Sequence, residues 1–209
     1  MKRELQIFAT FFLIYSIFVH WIGWNETSHF ALLRSIAEES RFEINSYANQ
    51  TGDRVYFKGN YYSDKDLGLS MFSLPAYLIF RNFYSFFDKN KESVTTIAIS
   101  ERPEGSNTSI YTYVNLPQML RGLIIVAVYS TSVFFGAMLM VLLYKTLKFF
   151  SKNEKMILLT TFIIGFGTLI FPYSLLFFNH ITSTFLLFSL FTYFLKLSLK
   201  RNIQQPIYL

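Results

Sequence analysis

Cysteine is absent from the chain, which excludes disulfide bonds, thiolate metal sites and a cysteine nucleophile. Charged residues are also scarce, at 15% of the 209 residues, whereas a typical soluble domain has about 25%. In their place, 52% of the residues are hydrophobic and 20% are aromatic, with 25 phenylalanines. Such a composition is too apolar for a soluble domain of this size and indicates an integral membrane protein.

The formal net charge is +6, but the excess of basic residues is confined to the edges of apolar segments. The basic residues at these edges are Lys2, Arg3, Lys145, Lys148, Lys152, Lys155, Lys196, Lys200 and Arg201. Residues 25–121 are nearly neutral by contrast. Basic residues beside membrane helices mark the cytoplasmic side. The charge therefore predicts a topology, and we expect no nucleic-acid partner.

The apolar segments predict an all-α integral membrane protein with about four transmembrane helices. The predicted organisation is residues 1–24 for the first helix, 25–117 for an extracytoplasmic loop, 118–148 for the second helix, and 149–209 for the third and fourth helices with a tail. Odd helices then run outward and even ones inward, so that every basic cluster is cytoplasmic. We expect a multi-pass protein of the cell membrane with both termini in the cytoplasm.

The long loop is predicted to contain two interfacial helices and a small hairpin. The first helix has these apolar residues on one face: Phe30, Leu33, Ile36 and Ala37. Such amphipathy indicates a helix on the outer membrane surface. Residues 54–57 and 61–62 around a Lys58-Gly59-Asn60 turn are typical of a hairpin.

The second loop helix, at residues 67–87, is interrupted by Pro75 and Arg81. A charge within a span costs roughly 2.5–3.5 kcal/mol. We therefore expect this helix to lie in or dip into the interface, with a true span as the alternative. Residues 88–117 follow as a polar connector. In the third span, Gly165 and Gly167 are small residues that allow close helix approach.

Candidate functional residues lie around the turn between the hairpin and the second loop helix. Lys65 offers a compact positive charge at a helix start, which suits a phosphate at a membrane surface, and Asp64 stands beside it. Tyr61 and Tyr62 either stack on a substrate or anchor the interface, and His180 is either a ligand or acid–base group or structural. His20 and His29 have no partner spacing, and no chemistry is assigned to them.

Three segments carry a family resemblance. The first is Asn25-Glu26, directly after the first predicted membrane helix. The second is Tyr62-Ser63-Asp64-Lys65-Asp66-Leu67-Gly68-Leu69-Ser70, and the third is Gly167-Thr168-Leu169-Ile170-Phe171-Pro172-Tyr173-Ser174, followed by Asn179-His180. They resemble the acidic pair, the acidic-Lys turn and the third-helix exit in the N-terminal part of GT-C-type glycosyltransferases. These are membrane enzymes that use polyprenyl-phosphate-linked sugars, such as protein O-mannosyltransferases and lipid A aminoarabinose transferases.

The resemblance implies roles for individual residues. Glu26 and Asp64 would be catalytic, Lys65 would bind the donor phosphate, and Tyr61, Tyr62 and His180 would contact substrate. Glu26 and Asp64 are also the candidates for binding a divalent metal ion, the only cofactor implied. Asn25 replaces the catalytic aspartate of better-known relatives, which shifts the acidic role to Glu26 or removes it.

Two functions follow from the sequence. The first is a glycosyltransferase, or its N-terminal part, that moves a sugar from a polyprenyl-phosphate donor to an acceptor on the extracytoplasmic side. The alternative is a non-catalytic multi-pass membrane protein that binds lipid or a partner subunit. Membrane lipids are expected partners in both cases, and further membrane-spanning segments would be needed to complete a substrate cavity, because the family has eight or more spans.

Overall fold

The computed structural model describes residues 2–20, 23–87, 100–101, 110–111 and 118–204, and this described part is mostly helical, at 78%. The α-helices are α1 (Lys2–Ile17), α2 (Trp24–Arg34), α3 (Leu67–Phe87), α4 (Gln118–Val128), α5 (Phe134–Leu147), α6 (Glu154–Gly167), α7 (Ile170–Ser174) and α8 (Asn179–Gln204). The π-helical turns are Ser35–Glu39 and Tyr129–Val133, and a 3₁₀ helix covers Asn45–Gln50. The strands are β1 (Arg54–Phe57), β2 (Asn60–Ser63), β3 (Ser100–Glu101) and β4 (Ile110–Tyr111).

Among the described residues, two helical segments are long and apolar enough to cross a membrane. Met119–Leu147, which joins α4, a π-helical turn and α5, has 29 residues, and Asn179–Lys200 within α8 has 22. They coincide with the second and fourth predicted spans. The first and third predicted spans contain α1 and α6, whose 16 and 14 residues are fewer than the roughly 20 that a span needs.

The helices pack through aromatic side chains around α1. Phe11 of α1 stacks on Phe166 of α6 with ring centroids 4.6 Å apart, and Phe8 meets Phe134 of α5 edge to face at 5.8 Å. The hydroxyl of Tyr15 donates a hydrogen bond of 2.9 Å to the carbonyl oxygen of Gly165. These contacts place α1 between α5 and α6 and leave no lone helix at the N-terminus.

The expected close helix approach occurs at Gly165 and not at Gly167. A Cβ atom on Gly165 would lie 2.3 Å from the ring of Phe11 and 2.8 Å from the sulfur of Met140. Backbone therefore takes the space that a side chain would fill. A Cβ atom on Gly167 would meet only Ile163 of its own helix, at 4.0 Å.

The hairpin forms at the residues where alternation and the turn signal predict one. Strands β1 and β2 are antiparallel, with Arg54 opposite Ser63 and Phe57 opposite Asn60. Lys58 and Gly59 occupy the turn with φ angles of 46° and 87°, the positive values that a two-residue type I′ turn requires. Most of the connector predicted at residues 88–117 lies outside the described residues; within it, β3 pairs antiparallel with β4.

Helix α3 is amphipathic, and Arg81 does not interrupt its apolar face. Ser70, Ser73 and Tyr77 are buried on one side, and Arg81 joins them by donating a 3.1 Å hydrogen bond to the carbonyl of Ala37. The opposite side is an exposed apolar stripe of Leu67, Met71, Phe72, Ile79, Phe83 and Phe86. Arg81 therefore faces the protein, and α3 is not among the two segments able to span a membrane.

Helix α2 is buried on all sides rather than on its apolar face alone. Every residue from Glu26 to Arg34 is buried. The prediction of a one-sided surface helix is therefore wrong. The polar face of α2 is also buried, because it contacts the hairpin, α3 and the π-helical turn. Helix α2 is thus the interior element around which the rest of the loop folds.

The end of α2 takes part in a polar cluster that we call the Glu38 network, made of Arg34, Glu38, Tyr47 and Tyr77. The carboxylate of Glu38 accepts hydrogen bonds from Tyr77, from Tyr47 at 2.9 Å and from Arg34 at 3.5 Å. The guanidinium of Arg34 lies 4.2 Å over the ring of Tyr47. Burial raises the pKa of Glu38, but the Tyr77 bond and the Arg34 charge lower it by more, so the net pKa is below its ordinary value.

Candidate functional site

Charged and polar side chains from four elements meet where the hairpin ends and α3 begins. We call this place the junction, and it comprises His29, Asp53, Asp64, Lys65, Asp66, Asn179 and His180. They come from α2, the segment before β1, the turn after β2 and the first turn of α8. The junction brings together two of the segments that carry the family resemblance, at Asp64-Lys65 and Asn179-His180.

Ser28 of α2 fixes both ends of the hairpin. Its hydroxyl donates a 2.6 Å hydrogen bond to the carbonyl of Asp53 and lies 2.7 Å from the hydroxyl of Ser63. Ser63 in turn accepts a hydrogen bond from the backbone N–H of Lys65 at 3.2 Å. The position of Lys65 is thus set by α2 through two serines.

Lys65 forms ion pairs with two carboxylates. Its Nζ lies 2.9 Å from Oδ2 of Asp53 and 3.1 Å from Oδ2 of Asp64, and its side chain is 18% exposed. Burial lowers the pKa of Lys65, but the hydrogen bonds to Asp53 and Asp64 raise it by more, so the net pKa lies above its ordinary value. The lysine is therefore charged, and its partners are accessible, since their side chains are 30% and 35% exposed.

Asp66 ties the turn to α8. Its carboxylate accepts a hydrogen bond from the side-chain amide of Asn179, the first residue of α8. His180 follows, exposed to solvent, with its ring 4.8 Å from the ring of Tyr173. The contact between Asp66 and Asn179 explains why residues so far apart in sequence occupy one site.

His29 lies inside the junction with 1% of its surface exposed. Its ring meets Phe177 edge to face at 5.9 Å, and its carbonyl accepts a 3.0 Å hydrogen bond from Ser70. Burial lowers the pKa of His29 to about 4; the carboxylates of Asp66 and Asp64 oppose this shift, and Lys65 and His180 add to it. The imidazole is therefore neutral near pH 7 and lies within electrostatic reach of the other junction residues.

Glu26 is deeply buried, with 2% of its surface exposed, in the first turn of α2. A Cβ atom on Gly23 would lie 3.5 Å from its Oε2, so the carboxylate turns back toward the start of the helix. Among the described residues, no group of three or more His, Asp and Glu side chains could hold a metal ion. Glu26 and Asp64 thus have no third protein ligand of this kind in the part of the chain that the structure describes.

The two tyrosines predicted to contact substrate, Tyr61 and Tyr62, make contacts within the hairpin and with the segment before it. The ring of Tyr61 lies 5.1 Å from that of Tyr56 and under the guanidinium of Arg54 at 4.7 Å. The hydroxyl of Tyr62 donates a 3.3 Å hydrogen bond to Glu43. Both side chains remain partly exposed, and their roles as substrate contacts stay predictions.

Sequence reasoning missed Asp53 and gave His29 no role. The signal for Asp53 was present in the predicted hairpin, because pairing Arg54 with Ser63 places the preceding residue beside Asp64. No comparable signal exists for His29, whose neighbours come from packing α2 against α3 and the segment before α8. Comparison with protein-family models, curated proteins and solved structures found no match to this chain.

Proposed function

We propose that this chain is a membrane glycosyltransferase of GT-C type, or the N-terminal part of one, that uses a polyprenyl-phosphate-linked sugar on the extracytoplasmic side. The observation that carries the proposal is the placement of Lys65. A charged lysine stands at the start of α3, whose outer side is an apolar stripe. A lipid phosphate presents the matching pair of features, an anionic head joined to an apolar chain.

The proposed topology has four spans, at residues 1–24, 118–148 and twice within 149–209, with both termini cytoplasmic. The two segments long enough to cross a membrane support two of these spans. Helix α3 lies in the interface with its apolar stripe toward lipid, because its polar side is already packed on α2 and on Ala37. This arrangement puts the junction at the outer surface, beside the acyl region.

In the proposed reaction, an acceptor hydroxyl attacks the anomeric carbon while the bond from that carbon to the phosphate oxygen breaks. Glu26 takes the proton of the hydroxyl as general base. The electron pair of the broken bond leaves with the lipid phosphate, and the charge of Lys65 stabilises it. Asp64 orients Lys65 across 3.1 Å. Attack opposite the leaving group inverts the configuration of the sugar.

The test is Lys65→Ala in the full-length protein, reconstituted in membranes that contain a polyprenyl-phosphate sugar. We expect sugar transfer to fall at least tenfold, because a charge stabilising the transition state typically contributes several kcal/mol. The matched control is Lys58→Ala, at the exposed tip of the hairpin, which should retain the wild-type rate. An unchanged rate for Lys65→Ala would overturn the assignment.

A non-catalytic lipid- or subunit-binding protein is the second candidate, and α8 favours it. Most of this helix is exposed along its apolar length, for example at Leu187 and Phe194. Such a surface suits contact with lipid or with another membrane helix. Lipid-phosphate binding without any transfer of sugar by the full-length protein would favour this candidate over the enzyme.

A further inference from the structure

We propose that His29 is a ligand-binding residue of the junction, whose Nδ1 makes a hydrogen bond to the phosphate group of the polyprenyl-phosphate lipid. The inference rests on the proposed function, since it names a further group that holds the same ligand as Lys65. His29 comes from α2, and Lys65 from the turn before α3, so the two would approach the phosphate from different elements.

The first argument is the hydrogen bonding of His29. Its Nδ1 is buried and has no hydrogen-bond partner among the described residues. A buried polar atom without a partner has lost its hydrogen bonds to water and gained none in return, and most buried polar atoms in folded proteins are paired. His20 is different: it is exposed to solvent, and yet its Nδ1 has a hydrogen-bond partner, the carbonyl oxygen of Phe18 at 3.0 Å.

The second argument is that the fold holds the imidazole firmly in this position. Ser70, itself fully buried, fixes the backbone carbonyl of His29, and the preceding residue, Ser28, is bonded to Asp53 and Ser63. Phe177 packs against the ring. A polar ring that is held by these contacts and lies within electrostatic reach of Lys65 is pre-organised for a ligand, which reduces the entropy lost on binding.

The third argument is the charge balance of the junction. Lys65 supplies one positive charge, and the carboxylates of Asp53 and Asp64 already face it at 2.9 and 3.1 Å. A phosphate bound here needs donors besides the lysine. The neutral imidazole provides one in its Nδ1–H tautomer, and it does so inside the protein, where a hydrogen bond is stronger than in water.

The experiment compares binding and stability in one variant. His29→Phe keeps an aromatic ring against Phe177 and removes the unpaired nitrogen. We expect the unfolding temperature to stay the same or rise, and the affinity for farnesyl phosphate in phosphatidylcholine nanodiscs to fall at least tenfold, because a hydrogen bond to a charged group is stronger than one between neutral groups. A purely structural histidine would give the reverse, lower stability with unchanged affinity.

His20→Phe is the matched control, since it makes the same change outside the junction, and it should bind farnesyl phosphate like the wild type. Wild-type affinity in His29→Phe would overturn the inference and leave the proposed function standing, provided that Lys65→Ala loses binding. Failure of the wild type itself to bind farnesyl phosphate would overturn both.

A second measurement keeps the inference testable if His29→Phe does not fold. The chain has three histidines, so ¹⁵N-histidine labelling gives a spectrum simple enough to assign by single substitutions. Adding farnesyl phosphate to the wild type should move the Nδ1 resonance of His29 and leave that of His20 in place. A bound phosphate that leaves the His29 resonance unchanged would overturn the inference.

Discussion

Arg34 and Lys65 both meet carboxylates, and they do so in different ways. Arg34 in the Glu38 network has a side chain that is 6% exposed, and the carboxylate facing it also accepts hydrogen bonds from two tyrosines. Lys65 in the junction meets two carboxylates that water can reach, Asp53 and Asp64. In the Glu38 network, the charged groups interact with each other and with buried tyrosines. In the junction, the charged groups are accessible, so that a ligand could reach them.

The difference matters because burial changes what a broken ion pair costs. Removing one partner of a buried pair leaves an uncompensated charge in a poorly solvated place. Removing one partner of an accessible pair lets water replace it, and the cost is small. The Glu38 network should therefore contribute to stability, and the junction to binding, although both consist of the same kinds of groups.

Replacing Glu38 by Gln should give the largest loss of stability. The change leaves Arg34 without its countercharge, and we expect the free energy of unfolding to fall by about 3 kcal/mol, measured by denaturant unfolding in detergent. Asp64→Asn is the control, because its ion pair with Lys65 at 3.1 Å is accessible, with 35% of the Asp64 side chain exposed, and the change should cost less than about 1 kcal/mol. Equal losses in the two variants would remove the distinction between the network and the junction.

Mild acid should lower the stability of the fold through His29, by less than the replacement of Glu38 does. The folded pKa of His29 is about 4, against an ordinary value of 6.5, so the unfolded chain takes up the proton first as the pH falls. Stability is then complete above pH 6.5 and declines toward pH 4, by about 2 kcal/mol between pH 7 and pH 5. His29→Phe should flatten this part of the profile.

Glu38 affects stability at lower pH than His29 does, so the two contributions to the pH dependence can be measured separately. Because its folded pKa is below the ordinary 4.5, its contribution is complete above that value and is lost as the pH falls through the folded pKa. A His29→Phe profile that still declined between pH 7 and pH 5 would place the titrating group elsewhere.

Tyr77→Phe removes one hydrogen bond to Glu38 and keeps the ring. We expect a loss of about 1.5 kcal/mol, since the acceptor is a charged group in a buried place. Tyr62→Phe removes the corresponding bond to Glu43 at the partly exposed surface of the hairpin and should cost less than Tyr77→Phe, because water can replace the lost bond. Denaturant unfolding of both variants, measured side by side, would show whether burial sets the ratio.

Asp53→Asn should have the smallest effect on stability and a visible effect on binding. Its ion pair with Lys65 is accessible, so the expected loss is below about 1 kcal/mol. Removing a carboxylate that competes for Lys65 should strengthen the binding of farnesyl phosphate severalfold. Weaker binding would show that Asp53 positions the lysine for the ligand rather than competing with it.

Local pattern accounts for the elements that were predicted correctly. The Lys58-Gly59 turn and the alternation beside it determine the hairpin, because positive φ at two successive residues is a local property. The side to which Arg81 faces could not be predicted, because it depends on rotation about the axis of α3; the structure places its guanidinium on the carbonyl of Ala37. Gly167 was predicted with Gly165, although only Gly165 faces Phe11.

Contacts between distant segments account for what was missed at the site. Asp64 and Lys65 are adjacent in sequence, so the pair could be recognised directly. The ion pair of Lys65 with Asp53 could have been predicted by extending the hairpin register one residue beyond the pair of Arg54 and Ser63. The environment of His29 depends on three elements packed together, and single-sequence periodicity carries no information about such packing.

The bond between Asp66 and Asn179 also sets the order in which the site is made. The two residues are 113 positions apart, so at about 5–20 residues per second a ribosome needs roughly 6–20 seconds to pass from one to the other. During that interval the hairpin and α3 can form while Asp66 still lacks its partner. Assembly of the junction is thus a late event in synthesis, and nascent chains stopped before residue 179 should contain Lys65 without the contact that fixes its turn to α8.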